Sequence, residues 1–159
     1  MRLSVKAAFM AVLFVAGMAA PAFAREPFDP VKALQITPTE LKWIQNPELH
    51  GLMSAVLVGD PGKPGLYVMR VRIPANAKLA PHFHPDETRM VTVLSGTLYF
   101  GFGDEFDESK LRAFGPGSFF TEPKNRPHFA MTKGDGVMLQ LNAVGPTGTT
   151  NVQPAKRAE

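Results

Sequence analysis

Three of the four histidines in this chain have the spacing of a metal site. His82 and His84 are separated by one residue, and His128 lies beside a later apolar run. Because side chains alternate across a β-strand, His82 and His84 would point to the same face. A third histidine on a neighbouring strand would close another side of the site. Since imidazole is a common metal ligand, we predict that these three side chains hold one divalent metal ion.

The remaining composition narrows the choice of ligands. The chain has no cysteine, which excludes thiolate catalysis and every cysteine-based zinc site. Metal ligands must therefore be imidazoles or carboxylates. The fourth histidine, His50, precedes Gly51 and has no partner in the sequence, so we predict a surface position for it.

The elements that would position these histidines are short strands separated by turns. With 14 glycines and 15 prolines, the pattern favours a β-sandwich or barrel over a helical fold. Ser95-Gly96 predicts a hairpin turn between two of the strands. We therefore predict an all-β barrel of two sheets. The predicted strand segments are 53–58, 66–73, 90–94, 97–102, 118–121, 129–132 and 137–141.

The segments that flank these strands have a different character. Residues 25–47 are predicted to form an arm with a short helical turn near Thr37, where Pro38 follows a capping residue. Residues 145–159 are predicted to form a closing strand or arm with a polar tail. Six large apolar side chains are predicted to fill the core more than to line a substrate cavity: Met69, Met90, Phe100, Phe102, Phe120 and Phe129.

The first 24 residues have the features of an export signal. Arg2 and Lys6 form a basic start, residues 7–20 are apolar, and 22–24 have the small-x-small pattern of a cleavage site. The apolar run is about 14 residues, shorter than the roughly 20 that a membrane-spanning helix needs. We predict a cleaved signal peptide (1–24), a periplasmic or secreted location, and one domain over 25–159 with its core at about 52–145. A single-pass anchor is the alternative.

The charge of the chain argues against nucleic acid as a partner. The formal net charge of +3 falls to +1 when Arg2 and Lys6 leave with the leader. No cluster of lysine and arginine remains that would bind phosphates. We predict a small-molecule ligand or substrate, no nucleic acid, and no membrane contact after signal cleavage.

Two stretches of the chain resemble the paired motifs of the cupin family. The first motif runs Gly, five residues, His-x-His, three or four residues, Glu, six residues, Gly. The second motif runs Gly, five residues, Pro-x-Gly, two residues, His. The residues that match these positions are His82, His84 and Gly96 for the first motif, and Gly117, Pro123 and His128 for the second.

Two motif glycines are replaced by asparagine. Asn76 stands at the start of the first motif, and Asn125 stands at the inner glycine of the second. Asparagine tolerates a positive φ better than most residues, so we predict that both exchanges keep the backbone conformation. The chain resembles the small single-domain exported bacterial cupins. This resemblance implies a jelly-roll barrel (double-stranded β-helix) with a metal inside, held by the motif histidines and usually the glutamate.

One motif position differs in chemistry. Arg89 occupies the place of the glutamate, and its guanidinium has no lone pair to offer a metal. Glu87 lies two residues earlier, and a small change of register would let it supply the carboxylate. Otherwise the site consists of three histidines and water, an open arrangement typical of catalytic metals. Arg89 is a candidate contact for an anionic substrate, with an ordinary exposed strand position as the alternative.

The resemblance leaves the reaction open. Dioxygenase and isomerase chemistry both occur among relatives, with the ion acting as a Lewis acid or an oxygen-activating centre. Zinc, copper, manganese and iron all remain candidates. The alternatives are a non-catalytic barrel that binds a small ligand or senses metal, and a degenerate barrel without metal. Pairing of sheet edges into a homodimer is implied by analogy alone.

Overall fold

The computed structural model describes residues 32–47 and 51–153, and these residues form two antiparallel sheets. The strands are β1 (Ile44–Gln45), β2 (Met53–Val58), β3 (Gly65–Ile73), β4 (Lys78–Phe83), β5 (Thr88–Ser95), β6 (Leu98–Phe102), β7 (Arg112–Phe114), β8 (Phe119–Pro123), β9 (His128–Met131), β10 (Val137–Gly145) and β11 (Thr150–Asn151). The larger sheet has the strand order β1-β2-β3-β10-β5-β8, and the smaller has the order β11-β4-β9-β6-β7. Two 3-10 helices, Pro38–Glu40 and Glu108–Lys110, complete the elements of the described residues.

The prediction of an all-β fold of two sheets is confirmed. Each of the seven predicted segments overlaps a strand, and 53–58 coincides with β2. The helical turn near Thr37 and a short closing strand, β11, are also present. The seven segments did not include β1, β4 or β7, although the spacing of His82 and His84 requires the strand that β4 provides.

The prediction of a hairpin at Ser95-Gly96 is wrong. β5 pairs with β8 and β10, whereas β6 pairs with β7 and β9. The turn therefore carries the chain from one sheet to the other. Two short strands around a tight turn can form a hairpin or can belong to different sheets. Which of these occurs depends on the strands they pair with, and those strands are distant in sequence.

Gly96 is required at this crossing by its conformation and by its neighbours. It has a φ of 71°, and a β-carbon there would overlap the carbonyl oxygen of Gly136. We expect Gly96→Ala to lower the free energy of unfolding by about 2 kcal/mol, because backbone strain and overpacking add. Urea denaturation measures this loss. Gly115→Ala is the matched control, since a β-carbon on Gly115 would have nothing within 4 Å; equal effects in the two variants would contradict the explanation.

The core lies between the inner faces of the two sheets. Strand alternation buries Val91 and Val93 of β5 against Leu98 and Phe100 of β6. Among the six predicted core residues, Phe100, Phe120 and Phe129 are buried, and Met69 and Phe102 pack partly buried against the core. Met90 is 41% exposed, so its prediction as a core residue is wrong. The same alternation that turns Val91 inward turns Met90 outward.

The two asparagines that replace motif glycines adopt the left-handed conformation, as predicted. Asn76 has a φ of 57° and Asn125 has a φ of 56°. The backbone amide of Asn125 donates to the carbonyl oxygen of His84 at 2.8 Å. This bond ties the turn of the second motif to the histidines of the first.

Some predictions concern parts of the chain that the structure does not describe. The leader (1–24) and His50 lie outside the described residues. Within residues 32–47 and 51–153, no helix is long and apolar enough to cross a membrane.

Candidate metal centre

The fold brings His82, His84 and His128 together as one three-histidine group. One potential ligand atom from each side chain lies within 4.8 Å of the others. His82 is near the end of β4 and is the cross-strand partner of His128 at the start of β9. His84 follows two residues after His82 on the same face, with the two ring centroids 5.0 Å apart. The period of two along one strand and the pairing of a second strand thus place all three imidazoles at one point.

Each imidazole of the three-histidine group is oriented by a backbone carbonyl. The Nδ1 atoms of His82 and His128 lie 2.7 Å and 3.0 Å from the carbonyl oxygens of Ala80 and Arg126. The Nδ1 of His84 lies close to the carbonyl oxygen of Gly148, at 2.6 Å. Because a carbonyl only accepts, each Nδ1 carries the proton and donates. Each neutral ring is then left with a lone pair on Nε2, the form in which imidazole binds a metal.

The surroundings of His82 and His84 favour the neutral form of these two imidazoles. Burial lowers the pKa of His84 to about 2, and the nearby guanidinium of Arg89 adds to this effect. Burial likewise lowers the pKa of His82. At neutral pH, protons therefore do not compete with a cation for these two ligands.

A carboxylate that the sequence analysis did not select also faces the three-histidine group. Glu122 of β8 is 8% exposed, and its Oε2 lies 3.8 Å from His84 Nε2 and 3.9 Å from His128 Nε2. The Nε of Arg89 is 3.4 Å from the same oxygen. Arg89 is itself 8% exposed, so the alternative of an ordinary exposed strand charge is wrong. Its guanidinium lies against Glu122 at the inner face of the larger sheet.

Glu87, the other predicted carboxylate, lies elsewhere. Its side chain is 69% exposed, and its Oε1 is 3.0 Å from Lys124 Nζ. The structure does not include Glu87 in the three-histidine group. Its role as a fourth ligand stays a prediction.

A signal for Glu122 was present in the sequence. Glu122 interrupts an otherwise uncharged strand directly before Pro123 of the second motif. The burial of Arg89, which only the structure shows, is a second indication, because an unpaired buried charge is strongly destabilising and requires a carboxylate nearby. What the sequence does not show is that position 122 lies opposite position 89.

The donor set fits a bound cation. Among the described residues, His128 Nε2, Glu122 Oε2 and Arg89 Nε are buried without a hydrogen-bond partner. Two of these three atoms carry lone pairs and face the same small volume as the other imidazoles. Since buried polar atoms are normally satisfied, a divalent ion is the partner that this arrangement accommodates.

A segment near the C-terminal end closes one side of this centre and is anchored by a buried carboxylate. Asp86 is 2% exposed and accepts hydrogen bonds from the hydroxyl groups of Tyr67 at 2.8 Å and Thr147 at 2.9 Å. Burial raises the pKa of Tyr67 to about 12, so its phenol is protonated and donates. Thr147 precedes Gly148, whose carbonyl orients His84. Asp86 thus holds the segment whose carbonyl group orients His84.

Two members of the three-histidine group, His82 and His84, line a cavity of about 510 Å³ between the two sheets. His82, His84, Arg89 and Glu122 lie next to one another and form one polar end of its lining. Further polar groups come from Asn46, Ser54, Lys78, Thr147, Thr149 and Asn151. A pocket that combines apolar side chains with polar groups is typical of small-molecule sites. The apolar residues that line it include Leu52, Met69, Val71, Ile73, Leu79, Leu139 and Leu141.

Comparison with known proteins identifies the sequence family. A family model described as Cupin matches residues 62–157, which is more than half of the chain. The curated relatives include germin-like protein 4-1 of Oryza sativa subsp. japonica, which is 35% identical over 77 residues. That match covers 44% of this chain and 30% of the relative. Across the germin-like relatives, the matched part is 30% to 38% of their own length, so the chain spans about a third of them.

Solved structures share the fold at low sequence identity. The polyketide cyclase RemF from Streptomyces resistomycificus superposes with a TM-score of 0.64 at 20% identity, over 79% of this chain and 89% of RemF. The DMSP lyase DddQ from Ruegeria pomeroyi DSS-3 superposes with a TM-score of 0.60 at 19% identity, over 89% of each chain. At such identities the likeness concerns the fold, and it confirms the predicted jelly-roll barrel of the double-stranded β-helix type.

Proposed function

This chain belongs to the cupin family, and from that premise we propose that it is a metal-dependent enzyme acting on a small organic molecule. His82, His84 and His128 would hold one divalent ion at the polar end of the cavity. When bound, the ion would act as a Lewis acid on a substrate oxygen or as an oxygen-activating centre.

The observation that carries this proposal is the orientation of the three imidazoles. All three Nδ1 atoms donate to backbone carbonyls, which leaves the three Nε2 lone pairs free. One ring nitrogen of each histidine lies within 4.8 Å of the others. Histidines that served only as core residues would use Nε2 as well as Nδ1 in hydrogen bonds, because a buried polar atom without a partner is costly. His128 Nε2 has no such partner among the described residues.

The lining of the cavity suggests which residues would bind a substrate and how they would orient it. Leu139, Leu141 and Val71 would pack against an apolar body and exclude water from it. The polar end would receive an oxygen-bearing group next to the histidines. The size of the cavity, about 510 Å³, lies within the range of small-molecule sites. The solved neighbours include a cyclase and a lyase, which supports small-molecule chemistry without selecting a reaction.

A non-catalytic barrel that binds a small ligand or senses metal is the second candidate. It differs from an enzyme in the coordination of the ion, because a catalytic site keeps a position that water or substrate can occupy. The proposed enzyme would have such a position on the cavity side. A closed site would favour sensing or a structural role.

Two measurements test the enzyme and the non-catalytic barrel: the metal content of the protein, and the binding of an added anion to the metal ion. The full chain is purified without an affinity tag and measured by plasma emission, and we expect about one equivalent of a divalent metal. The Co²⁺-loaded protein is then titrated with azide, and we expect its visible spectrum to change because a coordination position is open. An unchanged spectrum would favour the non-catalytic barrel. No metal after reconstitution would contradict the metal-dependent enzyme and the metal sensor, and would leave a barrel without metal.

Export of the protein remains a proposal supported by the leader pattern of residues 1–24. A periplasmic or secreted location would mean that the ion is acquired outside the cytoplasm. Pairing into a homodimer also remains a proposal, which the exposed apolar side chains of Leu66, Met90 and Phe119 support.

A further inference from the structure

We propose that Glu122 of β8 is the carboxylate ligand of this centre, and that it has exchanged places with Arg89 across the β5–β8 pair. The inference rests on the proposed metal site and adds a ligand from β8, a strand on which the family motifs place no metal-binding side chain. Glu122 would supply a fourth protein ligand beside the position left open for water or substrate, and Arg89 would be the positioning residue that holds its carboxylate.

The strand register makes this exchange geometrically simple. Arg89 and Glu122 are direct cross-strand partners in the antiparallel β5–β8 pair. Directly opposite residues have their β-carbons about 5 Å apart and point to the same face. A glutamate on either strand therefore reaches the same space beside the histidines. Both side chains face inward and are 8% exposed.

The distances suit a shared ion. Glu122 Oε2 lies 3.8 Å from His84 Nε2 and 3.9 Å from His128 Nε2. With metal–ligand bonds of about 2.1 Å, two ligands of one ion are about 3.0 Å apart at a right angle and about 4.2 Å apart when opposite. Both measured distances lie within this interval, so no large movement of Glu122 is needed.

Buried atoms without partners and the nearby charges also favour a cation beside Glu122. The Nε2 of His128 and the Oε2 of Glu122 are both buried without a hydrogen-bond partner among the described residues. A cation between them would give both atoms the partner that buried polar atoms normally have. Arg89 adds a permanent positive charge beside that cation, and the carboxylate directly opposite offsets it. The Nε of Arg89 has no hydrogen-bond partner among the described residues, which leaves it available to fix Glu122.

The test compares two isosteric substitutions at the two candidate carboxylates. In the full chain, we expect Glu122→Gln to weaken Co²⁺ binding by at least about 10-fold, since even the loss of an outer partner of a metal ligand costs about 10- to 100-fold. The visible spectrum of the saturated Co²⁺ protein should also change, because one ligand is lost. The matched control is Glu87→Gln, whose carboxylate is exposed against Lys124, and we expect wild-type affinity from it.

A double variant shows whether Glu122 binds the metal or only neutralises the charge of Arg89. If Glu122 only neutralised Arg89, the variant R89Q/E122Q would regain wild-type affinity, and that result would overturn the inference. We expect the double variant to bind as weakly as E122Q. Wild-type affinity in E122Q alone would also overturn the inference while the three-histidine site stands. Failure of the wild-type chain to bind metal would instead overturn the proposed function and this inference together.

The charge-exchanged variant R89E/E122R covers the case in which E122Q does not fold. It keeps both charges in the pair and returns the carboxylate to the motif position. We expect it to bind Co²⁺ within about 10-fold of the wild type. A folded exchange variant, verified by circular dichroism, that does not bind Co²⁺ would overturn the proposed exchange.

Discussion

Replacement of His128 by alanine is expected to abolish stoichiometric metal binding. The substitution removes the ligand that β9 contributes and leaves two imidazoles on one strand. Because the loss of an outer partner alone costs about 10- to 100-fold in affinity, the loss of a direct ligand should cost more than about 100-fold. Plasma emission on the purified protein would then find almost no bound metal. His84→Ala should behave in the same way, since its Nε2 faces the same point.

The matched control for these variants is His50→Ala, which replaces the one histidine that the sequence analysis assigned to the surface. We expect it to retain the full metal content. Circular dichroism would verify that each variant folds. One equivalent of metal in both His84→Ala and His128→Ala would eliminate the three-histidine site, and a loss in His50→Ala would contradict its predicted surface position.

The replacement Asp86→Ala is expected to have the largest effect on stability. It removes both hydrogen-bond acceptors of Tyr67 and Thr147 and leaves the buried hydroxyl of Tyr67 unsatisfied. Hydrogen bonds to a charged group contribute about 1.5–3 kcal/mol each, so we expect a loss of about 3 kcal/mol. Urea denaturation of the metal-free protein measures this loss without a contribution from bound metal.

Two controls make the result specific to the buried network. Asp104 is exposed, and Asp104→Ala should change the free energy of unfolding by less than about 0.5 kcal/mol. Asp86→Asn keeps the shape of the side chain and an acceptor for Tyr67, so it should lose less than Asp86→Ala. A loss below about 1 kcal/mol for Asp86→Ala would mean that the segment around Thr147 is held by other contacts.

Much of the candidate ligand set was predictable from local chemistry. The one-residue spacing of His82 and His84 determines a shared face because neighbouring side chains alternate on any strand. The same period explains the inward position of Val91 and Val93, and it would have predicted that Met90 faces outward. The left-handed conformation of Asn76 and Asn125 was also predictable, since it depends on one residue's own sterics.

The carboxylate of the site was not predictable by the same means. Glu87 was selected because it is close in sequence to the motif position, yet its side chain extends to Lys124. Glu122 is distant in sequence and reaches the histidines only through the register between β5 and β8. That register is determined by the packing of both strands in the core, which no local pattern contains.

The sequence by itself determined the all-β class, the types of ligand and the face on which two histidines lie. These properties depend on backbone sterics and on side-chain chemistry, which act over one or two residues. Only the tertiary structure decided that Ser95-Gly96 joins two sheets, that Arg89 is buried, and that Glu122 lies beside His84 and His128. Each of these depends on which strands pair and in what register, and such pairing is selected by the burial of apolar surface across the whole barrel.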